Sequence, residues 1–181
     1  MSGMRRITLV ACLALLALPS SSRAEVVDSA ANGFTVRIAV DVAASPARVY
    51  RTLVDRVGQW WDPEHTWSGR AANMSLDASP GGCFCEKLPG GGVRHLMVVY
   101  AEEGKLLRLN GGLGPLQGLA VAGSMTWTFA NANGGTRLVL TYTVGGYAPG
   151  GVDAIAKPAD GMLTGQVQRL KRFIETGKAA P

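Results

Sequence analysis

Between residues 74 and 147 the chain is a succession of strand-like segments, and the connectors between them are too short to hold a helix. Alternating or β-branched stretches at 74–78, 82–88, 93–101, 105–112, 119–130 and 135–145 read as strands. Ser79-Pro80-Gly81, residues 89–92, Glu102-Glu103-Gly104 and residues 131–134 read as turns. A parallel arrangement would need crossovers of a dozen or more residues, so these strands predict an antiparallel meander. One face of such a sheet must be buried. The cover follows directly. Over 159–176, Met162, Leu163, Val167, Leu170, Phe173 and Ile174 fall on one helical face, and Gly177 is a stop. Lys171, Arg172 and Lys178 lie where they suit the negative end of that helix. Residues 152–156 start a shorter helix that Pro158 interrupts.

Upstream, residues 34–42 alternate as a further strand, and Ser45-Pro46 then opens a helix with Ser45 as its N-cap. Val49, Tyr50, Leu53 and Val57 recur at helical spacing, and Gly58 ends the helix. An aromatic-rich loop follows, with Trp60, Trp61, His65 and Trp67. "GGLGPLQG" at 111–118 reads as a sheet bend or the rim of a cavity. It lacks the Lys-Ser/Thr of a phosphate cradle.

Residues 1–24 read as a signal peptide. Arg5 and Arg6 precede an apolar run over 7–18, and Ser22 and Ala24 fit cleavage after Ala24. The run is about 12 residues, short of the roughly 20 that span a bilayer. An uncleaved anchor, or a lipoprotein site at Cys12, are the alternatives. The formal charge of +5 owes three arginines to residues 1–24, and without them 15 basic side chains face 13 acidic ones. No basic run remains to suggest nucleic acid, and no later segment is long and apolar enough to cross a membrane. Residues 25–33 read as a linker, 34–177 as one domain and 178–181 as a tail. An exported protein is expected; the sequence sets no oligomeric state.

Five stretches together resemble the SRPBCC superfamily, the helix-grip group of START and birch-pollen-allergen-like domains. They are "FTVRIAVDVAASPARVYRTLVD", "WW" at 60–61, "GGCFCE", "GTRLVLTYTVGG" and "LTGQVQRLKRFIE". The likeness is to the polyketide-cyclase and Hsp-ATPase-activator-homologue branch and runs from about residue 34 to 176. It implies an α+β fold in which a curved antiparallel sheet of six to seven strands wraps a long C-terminal helix, with short helices between the first two strands. It also implies an apolar cavity for small hydrophobic molecules and no universal catalytic residues.

Strand alternation assigns faces. Leu138, Leu140, Tyr142 and Val144 point inward, as do Met125, Trp127 and Phe129 on the preceding strand, and Leu107 and Leu109 before that. With Lys87 in solvent, Cys83 and Cys85 share the outer face, and Phe84 and Glu86 turn inward. Residues i and i+2 of a regular strand sit about 6.6 Å apart with parallel side chains, which disfavours a Cys83–Cys85 disulfide. If the "PGGG" turn pairs Leu88 with Val93, Glu86 faces His95 and Phe84 faces Met97. A three-residue loop shifts this register by one and moves His95 off Glu86. An inward carboxylate needs a partner, and His95 is the natural one, with Arg94 or Tyr142 nearby. The pair is a satisfied piece of core, a polar ligand contact or an acid–base dyad.

The expected ligand-binding set is Trp60, Trp61, Phe84, Glu86, His95, Met97, Met125, Trp127 and Tyr142. Glu86 and His95 are the catalytic candidates. Two histidines and a Cys-x-Cys carry no recognisable metal-ligand spacing, and no cofactor is expected. Three functions fit. The first is an exported binding protein for an apolar or amphipathic, lipid- or polyketide-like molecule. The second is a cyclase/dehydratase-type enzyme, and the third a protein-interaction module.

Overall fold

The computed structural model describes residues 23–180. Nearly all of the expected signal segment 1–24, and Pro181, lie outside the described residues.

Among the described residues eight strands form the fold: β1 Arg23–Ala30, β2 Gly33–Val42, β3 Met74–Leu76, β4 Cys83–Leu88, β5 Gly91–Glu102, β6 Leu106–Gly111, β7 Ala120–Ala132 and β8 Gly135–Tyr147. They make one antiparallel sheet in the order β1-β2-β8-β7-β6-β5-β4-β3. The meander from β3 to β8 follows from its tight connectors. The long-range closure pairs β2 with β8 so that buried side chains meet, Phe34 opposite Val144 and Ile38 opposite Leu140. The sheet has one strand more than expected. Residues 25–33, read as a linker, form most of β1 and its turn, with Ala30 paired to Gly33. Only Val26 and Val27 in that stretch favour a strand, so its pairing with β2, rather than its own pattern, makes it one.

Among the described residues three α-helices accompany the sheet: α1 Pro46–Asp55, α2 Val57–Trp60 and α3 Asp153–Thr176. The Arg48 N–H donates to Ser45 Oγ at 3.5 Å and Pro46 opens α1, which buries Val49, Tyr50, Leu53 and Val54. Gly58 does not end this helix. It lies inside α2, where a Cβ would come within 3.1 Å of the Ala71 carbonyl oxygen, so the close approach of the chain explains the glycine.

Pro158 does not interrupt α3 either. It sits close enough to the helix start that its missing N–H removes one bond, to the Ala154 carbonyl. α3 ends as expected at Gly177, whose φ of 77° is left-handed and whose N–H donates to the Phe173 carbonyl at 2.9 Å. The helix packs on β1 and β2 and against α1 and α2, and it buries Ala156, Leu163, Val167, Leu170 and Ile174. Its buried polar residue, Gln166, accepts the Asp62 N–H at 3.0 Å. One turn on, Arg169 donates to the carbonyls of Trp60 at 3.1 Å and Trp61 at 3.4 Å. These contacts clamp the aromatic loop to α3 and fix what lies between helix and sheet.

Candidate functional site

A cavity of about 550 Å³ opens between the sheet, α3, the segment 113–119 and the loop 61–67. α3 contributes Ile155, Pro158, Ala159, Met162 and Leu163; the glycine-rich segment contributes Leu113, Leu116 and Leu119. Trp61, His95 and Tyr142 supply the rest of the interior, and the exposed Glu64, His65 and Trp67 mark its mouth. No lysine or arginine is among the described residues that line it.

The rim is held by specific bonds. Tyr142 Oη donates to the Gly111 carbonyl at 3.0 Å and accepts the Leu113 N–H at 3.1 Å. Burial pushes this hydroxyl's pKa up to about 12. Its ring lies over Gly123, where a Cβ would fall 2.5 Å from Cε2, so only glycine leaves room for it. Gln117 Nε2 donates to the Arg94 carbonyl at 2.9 Å and ties the rim to β5.

Glu86 and His95 meet, by a route other than either expected register. Pro89 and Gly90 make a two-residue turn, so Leu88 pairs with Gly91 and Glu86 with Val93. The ladder then shifts: Cys85 pairs with Arg94 but Phe84 with Leu96. His95 is the extra residue of a β-bulge, which breaks the alternation and buries His95 and Leu96 side by side. His95 Nε2 lies 3.1 Å from Glu86 Oε2. Glu86 also accepts the backbone N–H of Trp67 at 3.0 Å and of Ser68 at 2.5 Å.

Burial works to raise the Glu86 carboxyl's pKa. Hydrogen bonds from Ser68, Trp67 and His95 outweigh it and hold the group below its ordinary value. Burial lowers His95, and the neighbouring carboxylate offsets only part of that. A carboxylate can only accept, so neutral His95 carries its proton on Nε2 and leaves Nδ1 as a bare acceptor. That Nδ1 is buried and has no partner.

The expected ligand residues divide. Trp61, His95 and Tyr142 line the cavity. Glu86 sits behind His95, 1% exposed. Trp60, Phe84, Met125 and Trp127 surround a separate residual space of about 20 Å³. Trp60, Trp61, Phe84 and His95 form a continuous run of ring contacts, with centroids 5.1 to 5.5 Å apart. Met97 is on the outer face, 37% exposed and opposite Cys83, because the bulge shifts the register beyond it. The segment 111–118 borders the cavity, as its reading as a rim expects, since a glycine-rich break in a meander must leave the sheet plane. Its Leu113 and Leu116, and Ile155 and Pro158 of α3, were not singled out by the sequence.

Cys83 and Cys85 form a disulfide, contrary to the expectation from regular strand geometry. The register shift falls between Phe84 and Cys85, and the Cα atoms of the two cysteines come to 5.4 Å, within the usual disulfide range. No group of three or more acidic, histidine or cysteine side chains is arranged to hold a metal ion among the described residues. None of the described helices is long and apolar enough to cross a membrane.

Several solved structures share this architecture. A conserved protein of unknown function from Enterococcus faecalis is 18% identical, with 90% of this chain and 81% of that one covered at a TM-score of 0.59. CalU16 from Micromonospora echinospora is 14% identical over 89% and 88%, TM-score 0.58. The Aha1 dimer from Colwellia psychrerythraea is 16% identical over 80% and 98%, TM-score 0.52. At these identities the likeness is one of fold. No curated protein matches the chain. The family described as polyketide cyclase / dehydrase and lipid transport matches residues 33–175. With the helix-grip sheet, the long C-terminal helix and the apolar cavity between them, the chain belongs to that family, within the SRPBCC superfamily.

Proposed function

We propose that this protein binds an apolar or amphipathic small molecule in the cavity between sheet and α3, and that it does so after export. The cavity carries the reading. Its volume of about 550 Å³ falls within the range of small-molecule sites, which combine apolar walls with a few placed polar groups. The family's description includes lipid transport. Export is supported by the signal-like residues 1–24 and by the Cys83–Cys85 disulfide, a bond that oxidising compartments preserve.

Mass spectrometry of material extracted from the purified mature chain tests this. A stoichiometric apolar compound, or saturable uptake of an apolar fluorescent probe that Met162→Trp blocks, is expected. An empty protein that takes up no apolar probe would overturn it.

One observation favours a second reading, a cyclase/dehydratase-type activity. Glu86 holds neutral His95 at the cavity wall with Nδ1 unpartnered, the protonation state a general base needs. Proton abstraction that survives in Glu86→Gln and His95→Leu would remove that reading.

A further inference from the structure

We propose that the cavity selects an amphipath with a cationic head, an amine in its ammonium form, over the carboxylate of the same shape, and that it holds this head at the mouth beside Glu64. This rests on the small-molecule reading above and adds the charge of the polar end.

The mouth is the charged end of the cavity. α3 and residues 113–119 present no charged side chain to it. Glu64, His65, Thr66 and Trp67 reach it from one stretch of loop. Thr66 is already engaged, its Oγ1 donating to the Pro63 carbonyl at 2.8 Å. The exposed Glu64 carboxylate makes no ion pair with any described residue. An apolar tail fills the apolar interior, which leaves the head at this loop.

A second carboxylate backs the same loop. Glu86 accepts the N–H groups of Trp67 and Ser68, and its third partner is His95 Nε2. All three donors are neutral. They hold the carboxyl ionised without a cation, since burial keeps His95 uncharged. A full negative charge is therefore buried directly behind Trp67 and His95, which are both wall residues. Low-dielectric walls of one sign focus the field into the space they enclose, where water screens it little.

The nearby cations do not offset these acids. Arg169 donates to the carbonyls of Trp60 and Trp61 and lies 3.7 Å from Asp62. Arg70 and Lys157 are exposed and line no part of the cavity. Arg94 is exposed opposite Cys85, on the outer face. A carboxylate head meets two like charges here and no opposite one, a repulsion that discriminates as well as any attraction. An ammonium head meets two opposite charges. At the mouth it keeps part of its hydration and so escapes most of the cost of burying a charge.

The test uses 4-hexylbenzylamine, 4-hexylbenzoate and, to report the cavity itself, 4-hexylbenzyl alcohol. Affinities are read by displacement of the neutral fluorophore N-phenyl-1-naphthylamine from the mature, disulfide-bonded protein. The buffer is of low ionic strength at about pH 8, where an ordinary imidazole is neutral. The amine is expected to bind at least about tenfold tighter than the benzoate. Glu64→Gln keeps the side chain's shape, removes its charge and should reduce that ratio about threefold. Equal binding of amine and benzoate, or tighter binding of the benzoate, would overturn the charge selection. A ratio unchanged in Glu64→Gln would overturn the placing of the head. In either case, binding of the alcohol leaves the cavity reading intact. Failure of all three ligands, and of the fluorophore, would overturn both.

Discussion

The interior between sheet and helix is filled at one end and hollow at the other. Under α2, Trp60, Phe84, Leu109, Met125 and Trp127 pack down to a residual space of about 20 Å³. Toward the start of α3, Leu113, Leu116, Tyr142 and Met162 border about 550 Å³. Both ends are apolar, so hydrophobicity does not separate them. The difference lies in what projects inward. Three large aromatic rings reach the centre of the filled end. The hollow end is bounded by a glycine- and proline-containing segment and by a helix turn that presents Pro158 and Ala159. Large inward residues are therefore a poor guide to a cavity, since they are what fills one.

The sharpest way to break this contrast is to truncate both ends. Trp127→Ala should lose about 3–5 kcal/mol in urea unfolding, whereas Leu116→Ala, beside space that is already open, should lose only about 2 kcal/mol. Equal losses would mean that the hollow end is packed in solution. Glu86→Gln should lose about 1–3 kcal/mol, because the Trp67 and Ser68 N–H groups keep only a neutral acceptor. A loss no larger than at an exposed glutamate such as Glu64 would separate Glu86 from the loop it is said to hold.

Acid provides a second test. The native pKa of His95 lies below its ordinary value, so the unfolded chain binds a proton first as the pH falls. Stability is complete above about pH 6.5 and should decline as the pH falls below it. His95→Leu should flatten that step, as read by melting temperature from about pH 7.5 to 5.5. Glu86 is also lowered, so its contribution is present above the ordinary carboxylate range and is lost at lower pH still.

Replacing both Cys83 and Cys85 by Ser should lose about 1.5 kcal/mol on a chain-entropy estimate for so small a loop. It should also weaken ligand binding if the bulge loosens, and unchanged affinity would show that the bulge holds itself. The smallest effect on stability is expected from Met162→Trp. It should fill open space at a cost within about 1 kcal/mol while abolishing ligand uptake, so retained uptake would place the ligand elsewhere.

The meander and the face assignments of β6 to β8 were legible because alternation there is unbroken, and Leu107, Leu109, Trp127, Leu138 and Tyr142 are all buried as read. The pairing of Glu86 with His95 was legible only as chemistry, an inward acid beside an available base. Its geometry was not, because nothing in "GGGVRHL" marks His95 as the extra residue. The displaced Met97 and the disulfide both follow from that one irregularity. Pro158 misled because its cost depends on how near a helix end it falls. β1 was hidden because its strand character comes from β2. The hollow itself is a difference between volumes supplied by distant segments, and only its glycine-rich rim shows in a local pattern.

The disulfide spans the residues on either side of Phe84, the position directly across the ladder from the bulge. The two sulfurs are half-buried on the outer face, while Phe84 faces inward and packs on the His95 ring. One short stretch of backbone thus has a crosslink on its wet side and an aromatic support on its dry side. The outer crosslink and the inner ring contact share a single three-residue stretch of β4.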